Sequence, residues 1–161
     1  TKGKATVHGS VAPLIELGAG FDMDLSAREN VFLNGAILGY SREEMKGRFH
    51  EILEFAELWE FVDVPIKNFS SGMIARLGFA IATISKPDIL IVDEILGVGD
   101  FKFQQKCEAR INEIIAAGAT VILVSHSIEQ VKTICSKAAW LNKGQLVLYG
   151  GVDEVCAAYM S

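Results

Sequence analysis

The sequence predicts an α/β chain in which a parallel sheet is interrupted by a block of helices. Residues 89–92 and 120–124 are apolar runs without alternation, the pattern of strands covered on both faces. Helix-period segments follow each run, the rhythm of parallel strands joined by crossover helices. Most of the stretch from Leu25 to Ile84 also has helical character and lies between strand-bearing segments, which a simple doubly wound sheet would not contain.

Residues 7–16 read as a strand, a turn at Gly9-Ser10 and a second strand, followed by the glycine-rich loop Leu-Gly-Ala-Gly-Phe at 17–21. Ser26 caps a first helix with Glu29 three residues on, a capping box, and Val31, Leu33 and Ile37 continue it. Ser41 repeats the device with Glu44, ahead of Met45, Phe49, Ile52, Leu53, Phe55 and Ala56. Pro65 and Asn68-Phe69-Ser70 form a loop. Ile74, Leu77, Ile81 and Ile84 then recur at helical spacing, and the helix stops before Pro87. Beyond the strand at 89–92, residues 103–117 read as helix and end at Gly118, a C-cap. After the second buried strand come a short helix at 128–135 and two strands, 138–141 and 145–149, around a Lys-Gly turn. A helix at 152–159 closes the chain.

At 161 residues the chain fits one domain with a respectable core. Half its residues are hydrophobic and 22% charged, which argues against disorder. The net charge is −5 without any Lys/Arg run, so no nucleic-acid partner is expected, since that affinity rests on clustered cations. Cys107, Cys135 and Cys156 lie far apart with no Cys-x-x-Cys, the usage of free thiols in a reducing compartment. The longest apolar stretch, 77–92, is broken by Lys86, Pro87 and Asp88 and falls short of the ~20 residues of a membrane span.

Two segments carry chemistry. Ser70-Ser71-Gly72-Met73 heads the helix containing Arg76, where free backbone N–H groups, the helix dipole and two hydroxyls make an anion site; the alternative is an ordinary Ser N-cap. Asp93 and Glu94 lie twenty-three and twenty-four residues beyond Ser70, at the C-terminal end of a buried strand, where ligands of open α/β sheets bind. Asp93 could hold Mg²⁺ and Glu94 could polarise a nucleophilic water, or Asp93 could simply cap the next loop. His126 follows the second buried strand on the same edge and could contact a terminal phosphate, although a lone histidine can equally be structural. Asp100 ends Gly-Val-Gly-Asp, which is also a routine turn. The phosphate-cradling Gly-x-x-x-x-Gly-Lys-Ser/Thr does not occur.

Phe-Ser-Ser-Gly-Met, Ile-Leu-Ile-Val-Asp-Glu, Gly-Val-Gly-Asp and Val-Ser-His-Ser, in that order and spacing, resemble the signature, Walker B, D-loop and switch-histidine motifs of ABC ATPases. Glu-Leu-Gly-Ala-Gly-Phe, Arg-Glu-Asn-Val-Phe-Leu-Asn-Gly, Phe-Ser-Ser-Gly-Met-x-x-Arg-Leu and Phe-Gln-Gln-Lys-Cys look like the ATPase subunits of polysaccharide exporters, which handle O-antigen, capsule and teichoic acid. The resemblance implies a P-loop NTPase (RecA-like) core, 1–20 and 85–161, with an inserted helical subdomain, 21–84, lacking the N-terminal Walker A region. It implies that Asp93 supports Mg²⁺, that Glu94 is the general base and that His126 holds the γ-phosphate and attacking water. Asp100 would cross a dimer interface, and Ser70, Ser71, Gly72 and Met73 would close over ATP bound by the partner. Glu16 would occupy the Q-loop, which normally carries Gln.

The implied protein is an ATP-hydrolysing subunit, dimerised head to tail and attached to membrane permease subunits at the cytoplasmic face. The rivals are an ABC ATPase for a drug or lipid, and a non-catalytic interaction module offering only the signature surface.

Overall fold

The computed structural model describes residues 3–15, 17–84, 87–93 and 99–160. Three strands, β1 (Val11–Leu14), β2 (Ile89–Asp93) and β3 (Thr120–Val124), form a parallel sheet in the order β1-β2-β3. Between β1 and β2 lie three helices: α1 (Ala27–Ile37), α2 (Arg42–Ala56) and α3 (Ser71–Ala82). Helix α4 (Phe101–Ala116) connects β2 to β3, and α5 (Ile128–Ile134) leads to a separate antiparallel hairpin, β4 (Lys137–Asn142) and β5 (Gln145–Gly151). Helix α6 (Val152–Met160) packs back on that hairpin. The expected α/β order with a helical block is therefore observed.

Local chemistry explains the helix boundaries. Both capping boxes are present: the Ser26 and Ser41 hydroxyls accept from the Glu29 and Glu44 amides, and each glutamate accepts in return from the capping residue's N–H. Short 3₁₀ turns at Trp59–Phe61 and Ile66–Asn68 carry the chain from α2 to α3, the second lying in the loop expected around Pro65 and Asn68. The Lys143-Gly144 turn has φ of 49° and 78°, the paired left-handed conformation that a two-residue hairpin needs.

The core lies on one side of the sheet. Ala12, Leu14, Leu90 and Val92 are buried against α3 and α4, which contribute Leu77, Phe79, Ile81, Phe103, Cys107 and Ile111. Phe55 of α2 stacks on Phe79 with centroids 5.7 Å apart and meets Phe103 edge-on at 5.7 Å. Fully burying each such ring stabilises the fold by about 2–3 kcal/mol, so this triangle is a principal joint between α2, α3 and α4.

Two expectations are corrected. No strand forms around Val7, which is exposed; the chain instead turns at Gly9 (φ 109°) so that Ser10 can meet Asp88. The Ser10 N–H and hydroxyl both donate to Asp88 Oδ2, at 2.7 and 2.8 Å, clamping the starts of β1 and β2. Strand β3 is not covered on both faces. Val121 and Leu123 pack on the core, but Ile122 and Val124 are 51% and 55% exposed, and Val11 of β1 shares that open face. Among the described residues the outer edge of β3 has no strand partner: a cavity of ≈ 510 Å³, lined by residues 120–123, Ser136, Lys137 and Tyr149, separates it from the hairpin.

Candidate functional site

Helix α3 begins at the hydroxyl-rich segment. Ser70 is its N-cap, in extended conformation, and its Oγ accepts from the Met73 N–H at 3.2 Å. Ser71 is exposed and Gly72 half-buried. A Cβ added at Gly72 would find only Ser70 Oγ, at 3.8 Å, so space is open above the first turn. The unpaired amides there and the positive end of the helix dipole suit a phosphate group. Met73 turns inward and packs on the core.

Further along α3, Gly78 touches the loop that follows β1. A Cβ there would stand 2.7 Å from the Gly18 backbone nitrogen, and one on Gly18 (φ 87°) would stand 2.8 Å from Ile74 Cγ2. The glycine loop is thus fitted against the signature-like helix. Glu16, the expected Q-loop residue, lies outside the described residues, as does Glu94, the expected general base.

Asp93 closes β2, half-buried and in register with Val124 of β3. By alternation it faces the same open side as Ile91 and Ile122. His126 is exposed in the bend two residues past Val124, so the two sit on the same C-terminal edge of adjacent parallel strands. The bend is shaped by its neighbours: Ser125 Oγ donates to Gln130 Oε1 at 3.0 Å and accepts from the Ser127 N–H at 3.0 Å. Ser127 in turn caps α5.

Asp100 is the N-cap of α4, which starts two residues before the sequence pattern suggested. Its Oδ1 accepts from the Phe103 N–H at 2.9 Å and its Oδ2 from Arg76 Nη2 at 2.8 Å. These contacts hold its carboxyl below the ordinary carboxylate range, first through the Phe103 amide and then through the Arg76 charge. Arg76 also donates from Nη1 to Glu57 Oε2 at 3.2 Å. Glu57, left-handed at φ 58° just past α2, meets Lys106 Nζ through its other oxygen at 3.2 Å, and Lys106 is the main cause of its lowered pKa.

The structure thus brings Asp93 and His126 together on one sheet edge, and ties Asp100 to the helix that Ser70 heads. Residues that sequence reasoning did not single out hold these loops: Gly78, Glu57, Ser125 and Gln130, together with the buried Asn30 of α1. Asn30 exchanges hydrogen bonds with both the N–H and the carbonyl of Asp22, at 2.8 and 2.9 Å. Asn34 is buried near Gly20, and its Nδ2 has no partner among the described residues. The only available signal was two polar residues on the inward face of an amphipathic helix. Cys107 is buried, with its thiol pushed up to about 12, and is chemically inert in the fold.

Comparison with solved structures defines the class: this is the α/β, P-loop NTPase-like fold of ABC ATPase domains. A structure described as the ATP binding subunit of an ABC transporter superposes over 94% of this chain and 62% of its own, with TM-score 0.80 and 22% identity. A dimeric, post-hydrolysis structure of the ATP-binding cassette MJ0796, bound to ADP and Pi, matches over 89% of this chain and 63% of its own, with TM-score 0.72 and 24% identity.

The chain belongs to the ABC transporter family, whose model matches residues 5–97. It is 45% identical over 159 residues to the O-antigen export system ATP-binding protein RfbB of Klebsiella pneumoniae, covering 99% of this chain and 65% of that protein. It is 47% identical over 157 residues to the ABC transporter protein AbcA of Aeromonas salmonicida (98% and 51%) and 44% identical over 158 residues to the teichoic acids export ATP-binding protein TagH of Bacillus cereus (98% and 29%). The chain therefore spans less than two thirds of each of these relatives.

Proposed function

We propose that this chain belongs to the ATP-hydrolysing subunit of a bacterial ABC exporter that moves lipid-linked polysaccharide (O-antigen, capsule or teichoic acid) across the inner membrane. The observation that carries this reading is the placement of Asp93 and His126 on one sheet edge, with Ser70 heading a separate anion-ready helix, in a chain resembling O-antigen and teichoic acid export proteins. Residues 1–20 and 85–161 form the core in this reading, and 21–84 the helical subdomain.

ATP is held between two subunits arranged head to tail. Ser70, Ser71, Gly72 and Met73 of one subunit cover the phosphates bound by the other, using the open amides of α3. Glu94 takes the proton of the attacking water, and His126, carried on its braced bend, orients that water and the γ-phosphate. Asp100 reaches across the interface.

Mg²⁺ suits the donor set. Asp93, half-buried at the C-terminal end of β2, offers a carboxylate, and Mg²⁺ typically takes one or two carboxylates with phosphates and water. Asp93 would hold it, and when bound it neutralises phosphate charge.

No helix among the described residues is long and apolar enough to cross a membrane; in this reading the subunit attaches at the cytoplasmic face through permease subunits. Exposed Met23, Ile37 and Leu38 support docking of permease subunits on this side of the helical block, Ile37 lying against Gly20 of the glycine loop.

Glu94→Gln in the complete subunit should abolish turnover while ATP binding persists. Near-wild-type phosphate release from that variant would sink the general-base assignment.

A further inference from the structure

The Phe-Gln-Gln-Lys-Cys segment of α4 has no part in the hydrolytic reading, yet it meets the helical block at every turn. Phe103 is buried beneath Arg76, whose guanidinium carbon stands 4.7 Å from the ring centroid. Lys106 donates to the carbonyl of Phe55 at 2.7 Å and to that of Glu54 at 3.3 Å, satisfying the C-terminal end of α2 where helix carbonyls lack partners. Its third contact is Glu57 Oε1. Glu57 therefore sits between two cations, and Arg76 between two carboxylates.

The consequence falls on Asp100. One of its oxygens is committed to capping α4, and the other is held by Arg76, six residues along the helix that Ser70 heads. Arg76 is 19% exposed, stacked on a buried ring and anchored at its other end by Glu57, so its fork has one accessible geometry. A planar guanidinium in that setting fixes direction as well as charge.

We propose that Arg76 is a positioning residue for ATP hydrolysis: braced by Phe103 and the Glu57–Lys106 pair, it locks Asp100 to the Ser70–Gly72 segment so that both reach the partner subunit as one rigid unit. The proposal rests on the dimeric ATPase reading above. Arg76 touches no reacting atom and acts through Asp100. Loss of its grip therefore slows the closed, hydrolysing arrangement more than it weakens ATP binding.

The test uses the complete subunit, with wild type as the control for the ATPase reading; absence of ATP hydrolysis by wild type overturns that reading separately. Arg76→Gln should lower kcat by about tenfold or more and leave KM for ATP within about threefold. Arg76→Lys should recover part of kcat, because an ammonium can still reach Asp100 but cannot hold both carboxylates in a fixed fork. Arg76→Gln combined with Asp100→Asn should be no slower than the slower single variant.

Hydrogen exchange gives an arm that needs no turnover: the Phe103 amide, bonded to Asp100, should exchange faster in Arg76→Gln while amides in the middle of α2 keep their protection. Unchanged kcat, a defect confined to KM, defects that multiply in the double variant, or an unchanged Phe103 amide would each overturn the proposal. If Arg76→Gln fails to fold, the same measurements on Arg76→Lys decide it.

Discussion

Gly78 sits in mid-helix, where alanine is ordinarily the better residue by about 0.8–1 kcal/mol. Here the sign should reverse. The added methyl would stand 2.7 Å from the Gly18 nitrogen, 3.2 Å from the Leu17 carbonyl carbon and 3.3 Å from Leu17 Cα. All three are main-chain atoms, so no rotamer change relieves the clash; α3 or the 17–20 loop must move. Overpacking of this kind costs about 1–3 kcal/mol; with only main-chain atoms to move, the upper part of that range, about 2–3 kcal/mol, applies and leaves a net loss of about 1–2 kcal/mol after the propensity gain. For a domain of this size that lowers Tm by about 2–8 °C.

Gly47 is the matched control. It lies in α2, exposed, with nothing within 4 Å of an added Cβ. Gly47→Ala should stabilise by up to about 1 kcal/mol. Urea denaturation of both variants, compared at constant slope, reads the difference directly. If Gly78→Ala proves as stabilising as Gly47→Ala, α3 and the glycine loop are not packed as described.

Asn30→Ala should cost about 2–3 kcal/mol, since it orphans the Asp22 N–H and carbonyl and empties a fully buried site; a loss below about 1 kcal/mol in the same denaturation assay would contradict that accounting. Glu29 and Glu44 both have pKa values lowered, chiefly by hydrogen bonds from the Ser26 and Ser41 hydroxyls. A depressed folded-state pKa gives stability that is fully present above the ordinary value of 4.5 and is lost as pH falls through the folded value. The double variant Glu29→Gln/Glu44→Gln should therefore show a shallower loss of stability below about pH 4.5, and an unchanged acid limb by circular dichroism would refute the coupling.

What the sequence revealed and what it concealed divide along the range of the interaction. The capping boxes at Ser26 and Ser41 are written within four residues, so reading them needed no knowledge of the fold. Strands β2 and β3 were legible because runs such as Ile-Leu-Ile-Val have few other uses. The open face of β3 was not, because an apolar side chain looks the same in sequence whether or not something covers it; Ile122 and Val124 differ from Val121 and Leu123 only in what lies opposite. Ser10 and Asp88 are 78 positions apart and Arg76 and Asp100 24 apart, and no local pattern announces either pair. Gly-Asp is a common turn pair, and the capping role of Asp100 depends on α4 starting at Phe101, two residues before the apolar periodicity begins. The site followed the same rule: its loops were legible as motifs, while the residues that hold them in place were not.

Helix α3 joins the separate parts of the candidate site. Its first turn presents the Ser70–Gly72 amides, Arg76 takes Asp100 at 2.8 Å, and Gly78 carries the loop that leads back to β1. Those contacts lie within the N-terminal two thirds of a twelve-residue helix whose Leu77, Phe79 and Ile81 are locked in the core. A helix packed that densely shifts as a rigid body more readily than it bends, because interiors have few voids into which one turn could move alone. Displacement of the glycine loop would therefore reach the Ser70 segment and Asp100 together. In the proposed dimer, a force applied to the glycine loop would then alter closure over ATP without passing through the sheet, and the Gly78 contact, made backbone to backbone, is the link with least slack.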